Sequence, residues 1–183
     1  MSPPQTGRVV VVGLGNPVVS DDRAGLAVAS AVARLLEQRP VPGVDVLVST
    51  RGGFELIDLL NCYSRAILVD CLSLPDPVAG RIRRLDLDGL AGSARLFNAH
   101  ELSLAQACDL ASHLGISMPG ELAIWAIEGG DTCTLSDQMT PQVAAAIEPL
   151  ALQIHECLAA RPGPPDDGGA EFAERRRLFA PDV

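Results

Sequence analysis

Residues 9–25 read VVVVGLGNPVVSDDRAG. The β-branched run Val9 to Val12 has the signature of a buried strand. The segment Gly13-Leu14-Gly15-Asn16-Pro17 ends it in a glycine-punctuated turn. An acidic pair, Asp21 and Asp22, then opens an apolar-periodic segment. Leu26, Ala29, Val32, Ala33 and Leu36 follow at helical spacing, predicting a helix from Asp21 or Asp22 to about Arg39. Asp21 has the character of an N-cap, and acidic residues in a first turn suit the positive end of the helix dipole. A strand, a loop and a helix in this order begin an open α/β sheet, and such sheets bind ligands beyond their strand C-termini. This loop delivers carboxylates where nucleotide-binding loops are neutral or basic, so Asp22 demands a functional explanation.

Working outward, Pro40 and Pro42-Gly43 stop the first helix. A second strand is predicted over Val44 to Ser49, followed by the glycine link Arg51-Gly52-Gly53. A helix over Phe54 to Cys62 puts Leu56, Leu59 and Leu60 on one face. The segment Arg65 to Asp70, RAILVD, is apolar on both faces and therefore central, and it ends in an aspartate. The next strand, Gly80 to Leu85, follows after only about nine residues. A parallel crossover needs a dozen or more, so this strand is predicted to be antiparallel and at or near an edge. Residues 86–99 form a long irregular segment leading to His100, and such loops tend to be functional. A helix over Glu101 to Leu114, a strand over Glu121 to Ile127 and a polar loop to Met139 follow. Thr140-Pro141 then starts a last helix, with proline at its first position, running to about Ala160. Residues 1–160 thus form one domain, a three-layer α/β/α sandwich on a mixed five-stranded sheet with one antiparallel strand. Residues 161–183 have the Pro/Gly content and charge of a mostly disordered tail.

A chain of 183 residues with 48% hydrophobic and 20% charged residues is of a size for one compact domain. No apolar run approaches the ~20 residues of a membrane span, and the N-terminus lacks a basic region followed by an apolar one. No membrane association and a cytoplasmic location are therefore expected. The net charge of −9 argues against nucleic acid as a partner. All 14 basic residues are arginine, which excludes lysine nucleophiles, Schiff bases and P-loops. Cys62, Cys71, Cys108, Cys133 and Cys157 are odd in number and free of any CxxC pair, so zinc ribbons and thioredoxin chemistry have no support. Their apolar surroundings predict buried thiols that pack as small hydrophobes.

Three polar groups arrive near strand C-termini: Asp22, Asp70 and His100. Two carboxylates and an imidazole make a three-ligand site for a divalent transition metal with open positions. Two of them also have structural readings, Asp22 as a helix-start carboxylate and His100 as a cap for the helix after it, whereas Asp70, an aspartate at the rim of a buried strand, is harder to dismiss. His113 reads as a partner for a helix C-terminus, and His155 as a surface or flank residue. Sharper motifs fail. HELSL, from His100, lacks the second histidine of HExxH, and no GxSxG elbow is present. GLGNPV departs from GxGxxG at Val18, while Ser49 and Thr50 stand where a ribose-binding acid belongs.

The stretch GLGNPVVSDDRAG resembles the GxGNxLxxDD/EGxG signature of the nickel–iron hydrogenase maturation proteases, endopeptidases that trim the hydrogenase large subunit. The resemblance continues through RGGFELIDLL, AILVDC, NAHELSL and LSDQMTPQVAAAIEPL, in order, over about residues 8–160. It implies a phosphorylase/hydrolase-like α/β/α sandwich with one antiparallel strand, in agreement with the short connection noted above. It also implies that Asp22, Asp70 and His100 are the metal-binding and catalytic residues. The implied activity is removal of a C-terminal extension from the precursor large subunit after nickel insertion, with the nickel carried by the substrate. The precursor is then the partner, and the protease is expected to be a monomer. Arg23 stands where many members have glycine, and Pro17 and Val18 alter the usual aliphatic run. Two rivals remain: a non-catalytic nickel-sensing or assembly module on the same fold, and peptidyl-tRNA hydrolase. The latter shares GLGNP but has glycine at the place of Val18 and an early catalytic histidine that is missing here.

Overall fold

A computed structural model gives the fold and describes residues 7–50, 54–85 and 104–164, together with positions 174 and 179. Five strands among them form one sheet: β1 (Val9–Leu14), β2 (Val44–Ser49), β3 (Arg65–Leu72), β4 (Ile82–Leu85) and β5 (Glu121–Glu128). Their order is β2-β1-β3-β5-β4. The first four in that order run parallel, and β4 pairs antiparallel with β5 at the edge. The short link before β4 dictates that reversal. Among the described residues, helices α1 (Ala24–Gln38), α2 (Phe54–Leu60), α3 (Leu104–His113) and α4 (Pro141–Ala160) flank the sheet.

The alternation of strand side chains builds two cores. Val9, Val11, Ile67, Val69 and Ile127 face α1 and α4, whereas Val10, Val12, Leu14, Leu68 and Ala126 face α2. Ala107 and Ala111 of α3 pack on Ile57 of α2 to complete that layer. Asp70 is placed two residues before the end of β3, on the α2 side, because side chains of a strand alternate. The helix α4 is long and apolar enough, by length and composition, to cross a membrane. Its Val143, Ile147, Leu150, Ile154 and Leu158 are instead buried in the core.

Polar burial holds the opposite end of the sheet. Arg8 donates to both carboxylate oxygens of Asp45 at 3.0 Å, and the Tyr63 hydroxyl donates to Asp45 Oδ2 at 3.0 Å. Several local expectations are corrected. His155 is buried, with Nε2 2.9 Å from the Arg39 carbonyl oxygen at the end of α1. Cys62 and Cys71 are buried, but Cys133 and Cys157 are exposed and Cys108 is intermediate. Most of the tail beyond Pro164 lies outside the described residues, although Phe179 packs against the core on the α2 side.

Candidate active site

The loop after β1 is shaped by close backbone packing. Gly15 has φ +146, and a Cβ there would lie 2.0 Å from the Asp22 carbonyl oxygen. Further on, a Cβ on Gly25 would lie 2.2 Å from the Leu14 carbonyl oxygen and 2.4 Å from that of Val69. The start of α1 thus rests directly on the C-terminal ends of β1 and β3, and only glycine permits that approach. The Asn16 side-chain oxygen accepts the Val18 N–H at 3.1 Å, turning the chain toward the acidic pair.

Residues 21–23 form a 3-10 turn before α1, and the two aspartates have separate tasks. Asp21 is fully buried and does not cap the helix, which corrects the sequence expectation. Its Oδ2 accepts the Gly130 and Asp131 N–H groups, each at 2.8 Å, and the Thr140 hydroxyl at 2.9 Å. Its Oδ1 accepts the Thr140 N–H at 2.7 Å. Asp21 therefore ties the β1 loop to the loop between β5 and α4. Ser20 adds a bond from its hydroxyl to the Gln138 carbonyl, and the Arg23 guanidinium donates to the Asp137 carbonyl. These partners lie more than a hundred positions away in sequence, so no local pattern reveals them.

Asp22 is the half-buried member of the pair. Burial raises its carboxyl above the ordinary value, and the Asn16 N–H opposes the rise. Asp70 comes from the adjacent strand, since Gly13 of β1 registers with Val69 of β3. Burial pushes Asp70 up to about 8. The Cys71 N–H, donating to Asp70 Oδ1 at 2.7 Å, pulls the other way, and the charge on Asp22 adds to the rise. The charge of Asp22 thus reaches Asp70, which lies within β3 near its C-terminal end. His100, the third member of the expected trio, lies outside the described residues, as do Arg51, Gly52 and Gly53 of the expected site wall. Among the described residues no three His, Cys, Asp or Glu side chains gather as a metal site.

The neighbouring thiol is not an activated nucleophile. Burial, followed by the charges of Asp70, Asp22 and Asp21, drives the Cys71 thiol far above its ordinary value, and a thiol so held stays protonated. Three neighbours of these groups escaped the sequence reading. Glu128, at the end of β5, is buried and accepts the Val78 N–H at 2.6 Å and Arg83 Nε at 2.5 Å. Burial opposes its ionisation, but these donors and Arg81 override that and hold it below the carboxylate range. Gly129 and Gly130 follow, leaving room for the Asp21 carboxylate and the Cys71 sulfur. The signal available was that acid followed by a glycine pair at a strand end.

Carboxyls that hold their protons at the C-terminal edge of an α/β sheet have the chemistry to meet a cation or to move a proton. The chain belongs to the hydrogenase maturation protease family, whose model matches residues 28–156. That span contains Asp70 and His100 and begins after Asp22. No curated protein sequence matches the chain. Among solved structures, the hydrogenase-maturating endopeptidase HybD from Escherichia coli is similar at 27% identity and a TM-score of 0.64, covering 84% of this chain and 93% of that one. An Escherichia coli endopeptidase solved in solution is similar at 26% identity and a TM-score of 0.66, over 84% of this chain and 93% of the other. The maturation protease HycI from Thermococcus kodakarensis, at 22% identity and a TM-score of 0.60 over 83% and 92%, shares the fold.

Proposed function

We propose that this endopeptidase removes the C-terminal extension of a nickel–iron hydrogenase large-subunit precursor once nickel has been inserted. In this reading Asp22, Asp70 and His100 meet the nickel that the substrate carries. The observation that supports it is the Asp22–Asp70 pair. A buried carboxyl beside a second one favours its proton until a cation arrives, and a divalent ion on the substrate offsets both charges. A precursor without nickel offers no such compensation, so metallation gates cleavage. Asp21 does not touch the substrate; it positions Asp22. Arg23, which stands where many members have glycine, donates to the Asp137 carbonyl.

The test is cleavage of a nickel-loaded precursor, read by intact mass. Asp22→Asn and Asp70→Asn are expected to leave the precursor whole while remaining folded by circular dichroism. Cleavage by both variants at the rate of the unaltered protein would overturn the assignment.

A further inference from the structure

The sheet has a concavity at the end opposite Asp22 and Asp70. It lies where β3 and β5 begin, against the C-terminal end of α4, and has a volume of about 460 Å3, within the range of small-molecule sites. Ile67, Ala123 and Trp125 give it an apolar wall, and Arg65, Arg84 and Arg161 face it with a single acid, Glu121.

Among the described residues these charges are not balanced, because one carboxylate serves three guanidiniums. Glu121 accepts two bonds of 2.8 and 2.9 Å from Arg161 and lies opposite Arg65 in the β3–β5 register. Arg84 registers opposite Trp125 across the antiparallel pair and lies over its ring, 5.6 Å from the centroid. It is thereby oriented by the indole. Arg65, half-buried at the start of β3, has no carboxylate within salt-bridge distance among the described residues. Burial and the neighbouring Arg161 weaken its hold on its proton, and the attraction of Glu121, its register partner on β5, only partly opposes them. In a chain of net charge −9, gathering three arginines around an apolar recess runs against the general surface. An anion would relieve it, and a guanidinium fork matches a carboxylate or phosphate in geometry.

We propose that this recess binds a small organic anion, its carboxylate or phosphate held by Arg65 and Arg84 and its planar apolar body laid against Trp125, Ile67 and Ala123. The site is separate from the Asp22–Asp70 pair and does not depend on the cleavage reading. Two built-in reporters serve to test it. Trp125 is the single tryptophan of the chain, so its fluorescence reports on this recess alone. Cys157 lines the recess with an exposed thiol, so occupancy slows its alkylation.

Benzoate and phenyl phosphate are the probes, with benzamide as the neutral counterpart of benzoate. The expected result is a saturable change in Trp125 fluorescence below roughly 10 mM benzoate or phenyl phosphate, an affinity typical of a fragment. N-ethylmaleimide labelling of Cys157 should slow in parallel. Benzamide should bind at least about tenfold more weakly, as should benzoate to Arg65→Gln, reflecting loss of a charge-assisted pair. Equal response to benzamide and benzoate would overturn the proposal, because the recess would then be only an apolar sink. So would no saturable response together with unprotected Cys157. If Arg65→Gln does not fold, the benzoate–benzamide difference and Cys157 protection in the unaltered chain decide the matter.

Discussion

Replacing Asp70 by asparagine is expected to stabilise the protein at neutral pH while removing its activity. The carboxyl titrates near 3.8 when unfolded and at about 8 when folded. Between those values the folded state keeps a proton that the unfolded state has lost. Stability from this group is therefore fully present below pH 3.8 and is lost as pH rises toward 8, at about 1.4 kcal/mol per pH unit. At pH 7 the accumulated loss is about 4 kcal/mol, a large part of the 5–15 kcal/mol that holds a typical domain together. Asparagine is neutral, keeps an oxygen for the Cys71 N–H and carries no such loss. Urea unfolding of both proteins, followed by Trp125 fluorescence from pH 4 to 8, measures the difference. Using the difference cancels the opposite trends of Glu128 and Asp131, whose carboxyls are held low. The gap in favour of Asp70→Asn should be small at pH 4 and widen by roughly 4 kcal/mol by pH 7. Stabilities that run parallel across this range would refute the reasoning, since Asp70 would then not be held protonated by the fold.

Two further substitutions test how the site is supported. In Asp21→Asn, either orientation of the amide sets an NH2 against an N–H donor, because both carboxylate oxygens accept backbone N–H groups. A loss of roughly 2–4 kcal/mol in urea unfolding is expected, together with reduced precursor processing although Asp21 touches no substrate. Gly25→Ala places a Cβ against two backbone carbonyls that cannot swing aside, so about 1–3 kcal/mol of stability should be lost. Unchanged unfolding midpoints would show that α1 does not rest on the strand ends as described.

The strands were legible because their sequences admit little else. RAILVD is apolar on both faces, and the short connection after it forces an antiparallel edge strand. The family was legible from GLGNPVVSDDRAG and the motifs behind it. What local reading missed was set by distant contacts. Asp21 resembles an N-cap in every local respect, but its carboxylate is claimed by Gly130, Asp131 and Thr140, 109 to 119 positions later. Thr140 in turn begins α4 without capping it through its side chain. His155 looks like a flank residue on a helical wheel, yet it faces the carbonyl of Arg39 at the end of another helix. That Asp22 and Asp70 come near strand C-termini was legible from the buried runs that lead to them. Their mutual influence was not legible, since it depends on β1 and β3 being neighbours.

Nickel-gated cleavage is tested by intact-mass analysis of one precursor large subunit in two forms. The purified protein is mixed with nickel-loaded and with nickel-free precursor under the same conditions. Loss of a C-terminal peptide from the loaded form alone is expected. Cleavage of both forms at equal rates would contradict the gate. An intact nickel-loaded precursor, with both proteins folded and a panel of other precursors also uncut, would contradict the cleavage itself.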